Sequence, residues 1–152
     1  MRVVGFLGYS TFFHTGINSL IDIAYNKSNT ISVILDNRIT GMTGHQQNPG
    51  TGYTLQGKEV EEIDIEKLVL ACGIKNVKTI DPNNLEQVNK TLDWALELDE
   101  PSVIITRWPC VLKKLSIKDK KEFEGVFKEK CGVDKKLCIG CKLCIKSGCP
   151  SI

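Results

Sequence analysis

Four short apolar runs, Val3–Leu7, Ile31–Leu35, Val77–Ile80 and Val103–Ile105, are separated by segments whose apolar residues recur at helical spacing. Parallel strands cannot be joined by tight turns and need a crossover. Strand–helix–strand repetition therefore predicts an α/β fold: an open, mostly parallel sheet with helices on its faces. Ile17, Leu20, Ile21 and Ala24 predict a helix over 16–26. Ile65, Leu68, Val69 and Cys72 follow i, i+3, i+4, i+7, and Gly73 stands where a left-handed C-cap is needed. Leu85, Val88, Leu92, Ala95 and Leu96 line a third helix, with Asp81-Pro82 read as its N-cap and first helical position.

Charge divides the chain further. Residues 57–100 carry eleven acids and five lysines, whereas 113–137 carry nine lysines and five acids. A boundary is expected after Arg107. That makes 1–107 the α/β domain, 108–137 a linker with one short helix at 118–128, and 138–152 a separate small segment. The linker lysines are read as a solvated face. A net charge of +2 gives no support to nucleic-acid binding. The apolar runs are too short to span a membrane, and the chain does not open on a signal peptide, so a cytoplasmic protein is expected.

The chemistry concentrates at two places. The first strand ends in Gly8-Tyr9-Ser10-Thr11 directly before a helix, and the second ends in Asp36-Asn37-Arg38-Ile39-Thr40-Gly41-Met42-Thr43-Gly44, with 26 residues between Ser10 and Asn37. Small and hydroxylic residues at such a turn can offer N–H groups and hydroxyls to a phosphate, and an amide oxygen on the next strand end can help hold Mg²⁺ beside it. Two ordinary strand-to-helix turns would use the same residues, so both readings stand on turn chemistry alone. The long polar stretch from Asp36 to about Glu62 begins at the carboxyl end of a strand, where ligands bind in open α/β sheets.

Five of the seven cysteines, Cys131, Cys138, Cys141, Cys144 and Cys149, fall in the last 22 residues. An odd count clustered at one end argues for metal ligation in a reducing compartment rather than a disulfide scaffold. Cys138, Cys141, Cys144 and Cys149-Pro150 form C-x2-C-x2-C-x4-C-P, near the bacterial ferredoxin run for a 4Fe-4S cluster. Zinc ribbons use two separated C-x2-C pairs, which places zinc second. In two-cluster ferredoxins the fourth cysteine serves the other cluster, so the module is expected to be half present, with Cys149 or Cys131 completing a single labile cluster.

The stretches STFFHTGI and VILDNRITGMTGHQQNPGTG resemble the carboxyl-terminal thiamine diphosphate-binding domain of the indolepyruvate ferredoxin oxidoreductase large subunit, and more broadly the 2-oxoacid:ferredoxin oxidoreductases. The likeness covers nearly the whole chain. It implies the thiamine diphosphate-binding fold followed by a partial ferredoxin-like iron–sulfur segment. By position it implies Gly8, Tyr9 and Ser10 at the diphosphate turn, and Asn37 (side chain) and Ile39 (carbonyl) on Mg²⁺. Gly41, Met42 and Thr43 would lie along the cofactor. The family has Asp where this chain has Tyr9, and a phenol is a poor replacement for a hard anionic ligand. The resemblance also implies oxidative decarboxylation of arylpyruvates with coenzyme A as acyl acceptor and ferredoxin as electron acceptor. Its implied partners are an amino-terminal region of the same subunit and a smaller beta subunit, without which the chain is expected to be inactive. The alternatives are a non-catalytic electron-transfer or interaction module with a degenerate cofactor site, and a pyruvate-type enzyme.

Of the remaining candidates, His14 and His45 stand near the turn and in the loop, each a possible cofactor contact or an ordinary hydrogen-bonded residue. Cys72 and Trp94 read as packing residues, and Cys110 as a packing residue near the sheet's carboxyl end.

Overall fold

The computed structural model describes residues 2–123 and 132–146. The chain divides into two compact units, Met1–Lys114 and Leu115–Ile152. In the first, β1 (Val3–Gly8), β2 (Thr30–Asp36), β3 (Asn76–Ile80) and β4 (Ser102–Arg107) form one parallel sheet in the order β1-β2-β4-β3. The β-branched runs become strands because the helices cover them. β2 and β4 lie in the middle and are almost wholly buried, whereas β1 is largely exposed.

Helical structure begins earlier than periodicity predicts. α1 (Tyr9–Thr11) leads through a π-helical stretch (Phe12–Gly16) into α2 (Ile17–Tyr25), so the turn after β1 has no intervening loop. The apolar signal missed this segment because Phe12 and Phe13 are adjacent rather than a turn apart. A π stretch inserts one extra residue into the helical repeat. α2 and α3 (Ile65–Ala71) help bury one sheet face, where Phe12, Leu20, Ile34, Val69, Val103 and Ile105 meet. α4 (Leu85–Glu97) packs on Ile31, Val33, Ile80 and Ile104 of the other. That second cluster includes no residue of β1, and Val4 (42%), Phe6 (68%) and the adjacent Leu35 (45%) stay exposed as an apolar patch.

The caps refine two expectations. Gly73 has φ +96°, which suits the left-handed turn after α3. Asp81-Pro82, by contrast, does not start the third helix. Asp81 accepts from the Asn83 N–H in a local turn, and Asn84 caps α4 by accepting from the Gln87 N–H. Asn84 is itself a good N-cap and sits nearer the first apolar contact. Cys72 forms the C-cap of α3 and packs half-buried against the core; burial pushes its thiol pKa up. Trp94 packs beside α4's core residues, with the Lys78 ammonium 3.9 Å above its ring.

Asp64 caps α3, accepting from the Glu66 and Lys67 N–H groups at 3.0 and 3.2 Å. Its burial works against ionisation, but the Lys67 and Glu66 N–H groups and the Lys67 charge outweigh it and hold the carboxyl below its usual range. Asp64→Ala is expected to lower stability by about 1 kcal/mol in urea denaturation. The folded pKa is depressed, so the cap's contribution is present above the unfolded carboxylate pKa and is lost as pH falls through the folded value. The mutant and wild type should therefore converge in acid.

In the second unit, α5 (Ile117–Glu122) starts at a capping box in which Ser116 and Asp119 bond each other's N–H groups. It ends at Glu122 with Phe123 as its C-cap, and 124–128 of the expected helix lie outside the described residues. A one-turn α6 (Leu143–Lys146) follows. No helix among the described residues is long and apolar enough to cross a membrane.

Candidate cofactor-binding site

The carboxyl ends of β1, β2 and β4 meet at one edge of the sheet. Asp36 and Asn37, the residues that leave β2, fold the chain back by two successive side-chain turns. Asp36 Oδ1 accepts from the Arg38 N–H at 3.0 Å, and Asn37 Oδ1 accepts from the Ile39 N–H at 3.3 Å. The reversal places Arg38 at φ +59°, a left-handed conformation unusual for a side chain of this size. Electrostatics hold it there. Asp36, 1% exposed, lies 2.9 Å from Arg107 Nε and 3.9 Å from Arg38 Nε, and Arg38 also reaches Glu62 at 4.0 Å. The backbone after β4 completes the seam, the Trp108 and Cys110 N–H groups donating to the Asp36 and Asn37 carbonyls.

The loop that follows is an ordered fold of its own. The Thr40 N–H donates to the Gln46 carbonyl, Val60 to Gly52 and Ile63 to Pro49. Against the turn after β1, Thr40 Oγ1 donates to Ser10 Oγ at 3.0 Å, and Asn48 Nδ2 donates to Thr40 Oγ1 at 3.2 Å. Tyr9, 2% exposed, turns inward, stacks edge-on to Phe13 and donates its hydroxyl to the Gly50 carbonyl at 2.8 Å. Burial first, and Asp36 second, push its pKa well above the ordinary phenol range, so it is a neutral donor.

The structure thus brings Ser10 and Asn37, expected from the sequence, to one sheet edge. Gly8 is exposed there, with space at its Cα that a Cβ would meet only at Thr11 Oγ1. Ile39 is buried and Gly41 half-buried, while Met42 is fully exposed. Thr43 is also exposed and donates to Gln46 Oε1, which returns a short contact from Nε2 to the Thr43 carbonyl. His14 and His45 are exposed. The sequence gives no individual site role to Thr40, Asn48, Gly50, Asp36, Arg38 or Arg107. Asp36-Asn37 after a β-branched run and Asn48-Pro49-Gly50 are turn signals that locate Asp36, Asn48 and Gly50.

Residues 1–106 match the family described as thiamine pyrophosphate enzyme, C-terminal TPP binding domain. The chain belongs to that family. It is 38% identical over 152 residues to the indolepyruvate oxidoreductase subunit IorA of Methanothermobacter thermautotrophicus. It is 39% identical over 151 residues to the protein of the same name from Pyrococcus horikoshii. Each match covers 99% of this chain and 23% of the relative, so the chain spans about a quarter of the length of those proteins. A solved 2-oxoglutarate:ferredoxin oxidoreductase from Magnetococcus marinus superposes with a TM-score of 0.65 at 18% identity, over 76% of this chain and 42% of that one, and shares the fold.

The donor set of this thiamine pyrophosphate-binding domain fits a diphosphate. The Ser10 hydroxyl accepts from Thr40, which Asn48 braces in turn, and so keeps its own proton as a neutral donor for a phosphate oxygen. It does not fit a Mg²⁺ ion held by protein carboxylate. The Tyr9 hydroxyl is committed to Gly50, and the carboxylate next in chain, Asp36, is locked among arginines. Among the described residues no three His, Cys, Asp or Glu side chains converge to hold a metal. Cys138 and Cys141 are exposed thiols, Cys144 is half-buried, and Cys149 and Cys131 lie outside the described residues.

Proposed function

We propose that the chain is the diphosphate-binding part of an indolepyruvate-type 2-oxoacid:ferredoxin oxidoreductase. The observation that carries this is the meeting of the Ser10 and Thr40 hydroxyls at the carboxyl ends of β1 and β2, in a chain similar over 99% of its length to IorA subunits. Thiamine diphosphate, when bound, supplies the electron sink for decarboxylating a 2-oxo acid. The protein's part is to hold and orient it. Gly8 and Ser10 line its diphosphate, Thr40 and Asn48 brace Ser10, and Gly41, Met42 and Thr43 extend along the cofactor. Asn37 Oδ1 and the Ile39 carbonyl are the oxygens left for a Mg²⁺ that draws its remaining ligands from phosphate and water. Cys138, Cys141, Cys144 and Cys149 hold a 4Fe-4S cluster that passes electrons on to ferredoxin.

The apolar patch of Val4, Phe6 and Leu35 suits a surface covered by the amino-terminal region of a longer subunit, with a smaller beta subunit, coenzyme A and an arylpyruvate completing the enzyme. A cytoplasmic location accords with exposed Cys138 and Cys141 as thiols.

Anaerobic co-expression with the amino-terminal region and small subunit of an IorA-type enzyme tests the reading. The assembly should reduce viologen fastest with indolepyruvate, then phenylpyruvate, and more slowly with pyruvate. Pyruvate as the best substrate would sink the arylpyruvate assignment. Full activity with serine at Cys138, Cys141 and Cys144 would sink the cluster.

A further inference from the structure

Four hydrogen bonds leave Tyr9 and return to its neighbour Ser10. The Tyr9 hydroxyl donates to the Gly50 carbonyl at 2.8 Å. The Gly50 N–H donates to Asn48 Oδ1 at 3.0 Å. Asn48 Nδ2 donates to Thr40 Oγ1 at 3.2 Å, and Thr40 Oγ1 donates to Ser10 Oγ at 3.0 Å. The circuit joins the turn after β1 to two separate parts of the loop. Its far members cannot move independently, because Asn48 is 7% exposed and its single side chain serves both neighbours.

The fit at the start of the circuit is tight. A Cβ on Gly50 would stand 1.9 Å from the Tyr9 hydroxyl oxygen, 2.7 Å from its Cζ and 2.9 Å from Phe13 Cε2. Tyr9 is thus matched to a glycine 41 residues away. The charged groups that act on it are Asp36, Arg38 and Glu62; Arg38 also hydrogen-bonds the phenol, while the hydroxyl proton goes to the Gly50 carbonyl.

We infer that Tyr9 is a positioning residue: through Gly50 and Asn48 it orients the Ser10–Thr40 hydroxyl pair, and it serves as a loop tether rather than as a cation ligand. The inference deepens the diphosphate reading, but the tether stands on geometry that does not require it. The phenol does in neutral form, by tying down the loop, what a carboxylate would do by charge on a shared metal.

Hydrogen exchange and side-chain amide NMR of the full chain test it. Tyr9→Phe keeps the ring and removes only the hydroxyl. Exchange at Asn48, Gly50, Thr51 and Gly52 should accelerate roughly tenfold, as expected for one lost buried hydrogen bond, while Ile104 and Ile105 in β4 stay protected. The Asn48 side-chain amide resonances should move toward free-asparagine positions, a change a general loss of stability would not confine to that residue. In the unaltered chain, millimolar magnesium should leave exchange at 48–52 unchanged. Equal exchange in both proteins, acceleration spread uniformly over β4, or protection of 48–52 by magnesium in the unaltered chain would each overturn the inference. Failure of thiamine diphosphate to bind, with the exchange contrast intact, would sink the cofactor reading alone.

Discussion

Asp36→Asn should destabilise the chain by about 3 kcal/mol, measured as a fall in the urea midpoint at neutral pH. Asn keeps the shape of the side chain and an oxygen for the Arg38 N–H, but turns a donor toward Arg107 Nε where Oδ2 accepted, so the loss combines charge with one hydrogen bond. Asp36 is 1% exposed and faces Arg107 Nε at 2.9 Å and Arg38 Nε at 3.9 Å. Arg38 is itself 8% exposed and sits at φ +59°, so it has little freedom to swing out to water when its counter-ion is removed. A buried guanidinium that loses its buried counter-ion and keeps the part-exposed Glu62 at 4.0 Å is the costly part. Arg107, with its side chain 23% exposed, recovers solvation more easily, which keeps the loss at the low end for a broken buried pair. A change of this size is a large share of the 5–15 kcal/mol typical of a folded domain. Asp99→Asn, at an exposed acid, should stay within about 0.5 kcal/mol of wild type. Equal midpoints for the two variants would mean that the Asp36 cluster contributes nothing to the fold.

Gly50→Ala should be comparably damaging, at roughly 2–4 kcal/mol, and the damage should depend on what stands at position 9. The added methyl group would meet the Tyr9 hydroxyl at 1.9 Å, and Tyr9 is 2% exposed and packed edge-on to Phe13. Either the loop lifts or the tyrosine leaves the core, and in both cases the Gly50 carbonyl loses its donor. Tyr9→Leu keeps apolar bulk in the cluster around Phe12 and Leu20 but stops short of position 50. In that background the Gly50→Ala step should cost less than half as much, a coupling read from the four urea midpoints of a double-mutant cycle. Additive effects would show that Tyr9 and Gly50 do not constrain one another.

The parallel sheet was legible because its signal is local. β-branched runs and helical periodicity depend on neighbours within one or two turns, and Gly73 marks a helix end by its own backbone freedom. Family membership was legible for a related reason: Asn37 and the glycines that follow it lie in one continuous stretch. Where two good caps compete within a few residues, as Asp81 and Asn84 do, local chemistry leaves the choice open, and packing of the apolar face decides it.

The sequence alone thus determined the alternation of strands and helices, the two turns that meet at the sheet edge, and the thiamine diphosphate family. It also raised Tyr9 as the residue out of place there. Only the tertiary structure decided what Tyr9 does, because its partner Gly50 is 41 residues distant and neither residue carries a signal pointing to the other. The same holds for Asp36 and Arg107, paired by the register of β2 and β4. Hydrogen bonds and ion pairs between distant segments exist only after the hydrophobic burial of the sheet has brought those segments together.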